Sequence, residues 1–195
     1  PVDELERVGV VVVEDVGQRV VVDPVPAHHG DGVVVQRQVV AAGMQAAGLR
    51  VKDIGLALSP MAYFGQFELD APCVAMVTAS HNDNGWTGVK MGCDRPVTFG
   101  PEEMGRLKEI VLSGAFREAS GGSYRFVSDF PATYADDLTR GKKLSRKLKV
   151  VAACGNGTAG AFAPQVLEDF TRDTGIAVEY HTFASAEELN AALNS

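Results

Sequence analysis

The stretch Cys73-Val-Ala-Met-Val-Thr-Ala-Ser-His-Asn-Asp-Asn-Gly-Trp-Thr-Gly-Val-Lys90 decides the fold of this chain. Its apolar first part, Cys73 to Val77, has the length and composition of a strand that is buried on both faces of a sheet. The part from Thr78 to Gly88 consists mostly of hydroxyl, imidazole and amide side chains with two glycines. Because open α/β sheets bind ligands beyond the carboxyl ends of their strands, this order predicts a polar loop that presents Ser80 as a nucleophile.

The polar loop has the composition of a phosphate-binding site. Small side chains and glycines let backbone N–H groups converge on an anion, and Lys90 adds the positive charge that a phosphate needs. The same residue types also favour an ordinary surface turn between two strands. A serine hydrolase is disfavoured, because the adjacent side chains of Ser80 and His81 point apart and no Gly-x-Ser-x-Gly motif surrounds the serine.

The segment Thr78-Ala-Ser-His-Asn82, with Gly88 and Lys90, resembles the active-site loop of the α-D-phosphohexomutases, the phosphomannomutase and phosphoglucomutase enzymes. The resemblance implies that Ser80 is catalytic, carrying a phosphoryl group that it exchanges with a hexose phosphate, and that Lys90 balances its charge. It also implies a set of substrate- and phosphate-binding residues: Thr78, His81, Asn82 and Gly88. One departure is Asp83, which stands where the family usually has proline.

The same resemblance implies a Mg²⁺ ion, bound to Ser80 through its phosphate. The family holds this ion with a loop of three alternating aspartates, and the sequence contains no such loop. We therefore expect a phosphohexomutase-derived domain that is incomplete for turnover. The alternative is a non-enzymatic truncated, chimeric or engineered α/β domain with at most weak phosphate binding. A third interpretation, a solute-binding module, depends on a faint likeness of residues 173–188 to periplasmic solute-binding proteins.

The order of elements predicts an α/β fold, a three-layer mixed sheet with helices on both faces followed by the beginning of a second α/β unit. The valine-rich segments 8–13 and 20–22 predict a hairpin at a sheet edge. The basic run 140–149 predicts a domain boundary. We expect a first domain over residues 1–143, which carries the phosphoserine loop, and a partial or rebuilt second unit over residues 144–195.

Apolar spacing predicts helices over residues 33–47, 61–67 and 162–170. The first of these helices has Val40 and Met44 on one face and Gly48 in the position of a C-terminal cap. Another helix is predicted to begin at Gly100-Pro-Glu-Glu and to end at Gly114. Its apolar positions predict a buried stripe: Met104, Leu107, Ile110 and Val111. Residues 120–123 are predicted to form a flexible connection.

The composition is that of a globular protein with 46% hydrophobic and 22% charged residues. A net charge of −7 argues against a nucleic-acid surface, and no apolar run has the length of a membrane span. Cys73 and Cys154 lie in apolar segments and are expected to be buried thiols, which favours a reducing cytoplasm. The expected partner is a small-molecule hexose phosphate, and the oligomeric state stays open.

Overall fold

The computed structural model describes residues 9–14, 32–78, 86–141, 158–175 and 191. The strands in these ranges are β1 (Gly9–Glu14), β2 (Arg50–Leu56), β3 (Cys73–Thr78), β4 (Gly88–Gly92) and β5 (Ser123–Phe126). The α-helices are α1 (Gly32–Ala46), α2 (Ser59–Glu68), α3 (Pro101–Ser113), α4 (Phe130–Thr139) and α5 (Ala163–Thr174). The chain divides into two compact units, residues 1–134 and 135–195. The boundary predicted at 143/144 lies outside the described residues.

The five described strands form one mixed sheet in the order β4-β3-β1-β2-β5. Strand β1 pairs in antiparallel fashion with both β2 and β3, β3 pairs in antiparallel fashion with β4, and β2 pairs in parallel with β5. The predicted α/β class with a mixed sheet is confirmed. The prediction that the first valine-rich segment lies at an edge is wrong, because β1 is the central strand; residues 20–22 lie outside the described part of the chain.

Helix α1 covers one face of the sheet. Its buried residues Val40, Ala41 and Met44 pack with alternate strand residues, which are Val51, Cys73, Ala75, Val77 and Met91. These side chains share one face because successive residues of a strand point to opposite sides. Gly48, with a φ of +83°, ends the helix turn in the left-handed conformation that glycine adopts without strain. The predicted helix and its glycine stop are therefore confirmed.

Helix α2 covers the opposite face. It packs against β1 and β3, and its Met61 and Ala62 are fully buried, as are Val74 and Met76 of β3. Lys52 also lies on this face, and its Nζ donates a 2.7 Å hydrogen bond to the carbonyl oxygen of Leu69, the residue that follows the helix. The predicted arrangement with helices on both faces is thus confirmed.

Helix α3 begins and ends where the sequence predicts, but its apolar stripe is not buried. Pro101 opens the helix and Gly114 ends it with a φ of +63°. None of its residues is buried, and the side chain of Met104 is 44% exposed. Leu107 packs partly against the core below α1. The predicted buried stripe is therefore wrong, because a helical apolar period shows which face is apolar and not whether another element covers it.

Residues 120–122 of the predicted connection lie outside helices and strands, whereas Ser123 already opens strand β5. Gly121 and Gly122 allow this strand to reach the sheet. Gly121 has a φ of +99°, and a Cβ atom at Gly122 would collide with the backbone of Gln45 in α1. The two glycines that suggested a loop therefore permit close packing between the strand and α1.

The second unit contains one short 3-10 helix, Thr158–Ala161, and α5 among its described residues, together with the second half of α4. Helix α5 covers the predicted segment 162–170, and Gly175 ends it with a φ of +71°. Residues 173–188, which carry the faint likeness to periplasmic solute-binding proteins, lie almost entirely outside the described residues. Among the described helices, none has both the length and the apolar character needed to cross a bilayer.

Candidate functional site: the serine loop and its supports

The hairpin of β3 and β4 brings together the two ends of the predicted loop. Thr78 pairs with Gly88, and Met76 pairs with Lys90. Because paired residues of antiparallel strands point to the same side, the side chains of Thr78 and Lys90 lie on one face, diagonally across the hairpin. Thr78 is half-buried and Lys90 is exposed. The strands thus hold a hydroxyl and an ammonium group beside the base of the loop.

The six predicted site residues fall into two groups. Thr78, Gly88 and Lys90 belong to the described strands, in the positions given above. Ser80, His81 and Asn82 belong to residues 79–85, which lie outside the described part of the chain. The roles assigned to all six therefore stay predictions.

A disulfide bond joins Cys73 and Cys93 at the end of the hairpin that is remote from the loop. Cys73 begins β3 and Cys93 follows β4, so the bond continues the pairing of the two strands. The expectation that Cys73 is a free buried thiol is therefore wrong. A spacing of 20 residues gave no indication of the pair, whereas the strand register places the two residues side by side.

The returning end of the loop is tied to α1 through a contact that the sequence analysis missed. The hydroxyl of Thr87 donates a hydrogen bond to the side-chain oxygen of Gln36, 51 residues earlier in the chain. Gln36 lies in the second turn of α1, and both side chains are half-buried. No local sequence pattern could have indicated a contact over that separation.

A second polar cluster lies on the face of the sheet that α1 covers, around the buried carboxylate of Asp53. Arg37 Nη1 is 3.4 Å from Asp53 Oδ1, which also accepts a 2.8 Å hydrogen bond from the backbone N–H of Gly55. The hydroxyl of Tyr124 donates a 2.7 Å hydrogen bond to Asp53 Oδ2. Partial burial, and then the hydrogen bond to Asp53, raise the pKa of Tyr124 to about 12. Asp53 is 2% exposed, so the cluster ties α1, β2 and β5 together.

Lys52 and Arg125 form a basic pair on the opposite face of the sheet from Asp53. They face each other in the register of β2 and β5. Burial, and then the nearby charge of Arg125, lower the pKa of Lys52. Since β2 and β3 both run antiparallel to β1, the amino-terminal half of β2 lies away from the loop that follows β3. This pair is therefore separate from the serine loop, and the carbonyl of Leu69 already binds Lys52.

The expected Mg²⁺ ion finds no ligand set among the described residues. No three histidine, cysteine, aspartate or glutamate side chains of these ranges lie close enough together to hold a metal ion. The residues present in the described ranges do not fit the ion.

Comparison with known protein families identifies a match over part of the chain. The family described as phosphoglucomutase/phosphomannomutase, alpha/beta/alpha domain I, matches residues 36–118. This range begins in α1 at Gln36 and ends after α3, so it contains the β3–β4 hairpin with Thr78, Gly88 and Lys90.

Curated proteins similar to this chain carry related names. A phosphomannomutase/phosphoglucomutase of Pseudomonas syringae is 30% identical over 128 residues, which are 65% of this chain and 26% of that protein. A phosphomannomutase of Salmonella typhimurium is 36% identical over 126 residues, 62% of this chain and 27% of that protein. A probable phosphoglucosamine mutase of Methanobrevibacter smithii is 27% identical over 136 residues, 68% of this chain and 31% of that protein. The chain thus spans less than a third of the length of these relatives.

Proposed function

This chain belongs to the α-D-phosphohexomutase family, whose first domain it carries over residues 36–118, and from that premise we propose that Ser80 accepts and donates a phosphoryl group. The proposed substrates are hexose phosphates, because similar proteins are named phosphomannomutase and phosphoglucomutase. Lys90 is proposed to balance the charge of the phosphate. Thr78, His81, Asn82 and Gly88 are proposed to shape the loop around it.

One observation carries the proposal, the register of the β3–β4 hairpin. Pairing of Thr78 with Gly88 fixes the two ends of the loop on adjacent strands. Pairing of Met76 with Lys90 then places the lysine two residues beyond the Thr78–Gly88 pair, on the same face as Thr78. A lysine side chain reaches roughly 6 Å from its backbone, so this spacing suits a charge that approaches a phosphate on the loop.

The proposed reaction is a transfer between two oxygens. A hexose bisphosphate donates a phosphoryl group to Ser80. The bond between the phosphorus and the sugar oxygen breaks, and Ser80 Oγ forms a new bond to that phosphorus. The serine hydroxyl loses its proton and the released sugar oxygen gains one, leaving a hexose monophosphate and a phosphoserine. In the other half of the cycle, phosphoserine transfers its phosphoryl group to the free oxygen of a hexose monophosphate and forms a bisphosphate, and return of that bisphosphate's other phosphate to Ser80 completes an isomerisation. Because phosphoryl transfer depends on positioning and charge stabilisation, Lys90 and the held loop are the contributions that this chain supplies.

The half-reaction at Ser80 is proposed here, not complete turnover. The chain spans 26–31% of the relatives' lengths, and its described residues contain no metal-binding group of three. The second candidate is a non-enzymatic α/β domain with at most weak phosphate binding. The two candidates differ in one measurable property, covalent phosphate on Ser80.

Intact-mass spectrometry of the full chain tests the proposal. After incubation with glucose 1,6-bisphosphate and Mg²⁺, we expect the mass to increase by one phosphate, and peptide mapping to assign it to Ser80. Ser80→Ala should take up none, whereas Ser113→Ala, which removes an exposed serine of α3, should behave like the wild type. A folded wild-type chain that gains no phosphate would contradict the proposal and support the non-enzymatic candidate.

A cytoplasmic location is part of the proposal, and the disulfide provides its test. A cytoplasm keeps most protein thiols reduced. Trapping of thiols in intact cells should therefore find Cys73 and Cys93 alkylated. A disulfide that persists in those cells would instead indicate an oxidising compartment.

A further inference from the structure

We propose that Gln36 and Thr87 are a positioning pair for the proposed phosphoryl transfer, in which the bond to Gln36 restrains Thr87 at the returning end of the serine loop. This inference rests on the proposed function of Ser80 and adds two residues to it. Thr87 lies seven positions after Ser80, directly before β4. Its hydroxyl donates to the side-chain oxygen of Gln36 in α1. The contact therefore joins the returning end of the loop to a helix that belongs to the rigid first unit.

Gln36 is a firm anchor because its helix is fixed to the sheet immediately beside it. The next residue, Arg37, forms an ion pair with the buried carboxylate of Asp53 in β2. One helical turn later, Val40, Ala41 and Met44 pack into the core. A hydrogen bond from the loop to such a helix restrains the loop, since the helix cannot follow the loop's movement without breaking these contacts.

The opposite end of the loop is already fixed. Thr78 ends β3, a strand whose first five residues are buried, and pairs with Gly88. Main-chain pairing sets the separation of the two loop ends but not the path of Thr87, which lies outside the paired residues. The bond to Gln36 supplies that missing restraint. Displacements of about 1 Å can cost roughly 100-fold in rate, so loss of the bond should slow phosphoryl uptake.

Two pairs of variants separate the hydrogen bond from the size of the side chains. Thr87→Val keeps the shape and removes the hydroxyl, while Thr87→Ser keeps the hydroxyl. Gln36→Met removes the acceptor at similar length and helix propensity, while Gln38→Met makes the same change at an exposed position of the same helix. We expect roughly 10- to 100-fold slower phosphate uptake for Thr87→Val and Gln36→Met, and uptake near the wild-type rate for Thr87→Ser and Gln38→Met. The double variant should be no slower than either slow single variant.

A second readout is independent of phosphorylation. Trp86 is the one tryptophan in the 195-residue sequence and precedes Thr87 directly. It is 69% exposed, so the anisotropy of its fluorescence reports local motion of the loop end. Thr87→Val and Gln36→Met should lower this anisotropy, and Thr87→Ser should restore it, with thermal unfolding midpoints unchanged to within a few degrees.

The outcomes distinguish this inference from the proposed function. If wild-type chain takes up no phosphate but the anisotropy falls in both variants, Ser80 chemistry fails while the restraint on the loop is supported. If uptake is normal in the wild type and equally normal in Thr87→Val and Gln36→Met, the positioning pair is overturned. Equal losses in Thr87→Ser and Thr87→Val, or in Gln38→Met and Gln36→Met, would overturn it as well, because the hydrogen bond would not be the cause.

Discussion

Cys73 and Cys93 are linked by a disulfide bond, and all six residues proposed for phosphate chemistry lie between them in the sequence. The bond adds a covalent crosslink to the strand pairing that holds the base of the loop. The loop is thus enclosed in a ring with the disulfide at one end and the proposed phosphate site at the other. This arrangement follows from strand register, since the bond lies one step beyond the paired residues Val74 and Gly92.

The first prediction concerns the thiols. Unfolded, unreduced chain should expose one reactive thiol, from Cys154, and reduced chain should expose three. Reduction opens a ring of 20-residue separation and should lower the free energy of unfolding by about 3 kcal/mol. Thiol titration and urea unfolding measure the two effects. Three reactive thiols in purified chain that has been oxidised in air would contradict the bond, and Cys154→Ser should leave the effect of reduction on stability intact.

The second prediction concerns Lys90. Lys90→Met should slow phosphate uptake by at least about tenfold, because the ammonium group no longer stabilises the charge of the transferred group. Lys90 is exposed, so the free energy of unfolding should change by no more than about 0.5 kcal/mol. Lys108→Met on α3 is the matched control and should have neither effect. Unchanged uptake in Lys90→Met would exclude Lys90 from the reaction.

The third prediction concerns Tyr124. Tyr124→Phe removes a hydrogen bond to the buried carboxylate of Asp53 and should lower the free energy of unfolding by about 1 kcal/mol at neutral pH. The pKa of Tyr124 is raised from 10.0 to about 12. Its neutral form is therefore favoured in the folded state, and the associated stability is complete below pH 10 and is lost as the pH rises towards 12.

Urea unfolding at several pH values measures this effect. The difference in stability between wild type and Tyr124→Phe should be constant below pH 10 and should shrink between pH 10 and 12. A difference that stays constant through this range would show that Tyr124 does not titrate with the raised pKa.

The fourth prediction uses two glycines of helix α3. Gly105 lies inside the helix, and a Cβ atom there would meet nothing within 4 Å. Gly105→Ala should therefore raise the free energy of unfolding by about 0.5–1 kcal/mol, because alanine loses less backbone entropy on folding. Gly114 ends the helix with a φ of +63°, so Gly114→Ala should instead lower the stability by about 1 kcal/mol. Thermal unfolding of the two variants distinguishes these opposite signs.

Much of the fold was predictable because it depends on local pattern. The apolar run from Cys73 identified the buried strand, and the spacing of Val40 and Met44 identified the buried face of α1. The glycines at 48 and 114 marked the ends of two helices. In each of these cases the residues that form the element are also the residues whose pattern predicts it.

The remaining features depend on contacts between distant residues. The central place of β1 is set by pairing with β2 and β3, which no property of its valines indicates. The partners of the buried carboxylate of Asp53, Arg37 and Tyr124, come from separate elements. For the same reason the tie between Gln36 and Thr87 was not predictable, and the apolar side of α3 gave no information about what covers it.

The position of β1 has a consequence for the order in which the sheet is assembled during synthesis. Among the described strands β1 leaves the ribosome first, yet its neighbours β2 and β3 end at residues 56 and 78. This strand must therefore wait for both partners before its hydrogen bonds are complete, so more than half of the first unit, up to residue 78 of 134, must be made first. Strand β1 is also the link between β3, which leads into the serine loop, and β2 in the sheet. The β3–β4 hairpin therefore joins the rest of the sheet only when β1 has paired on both sides.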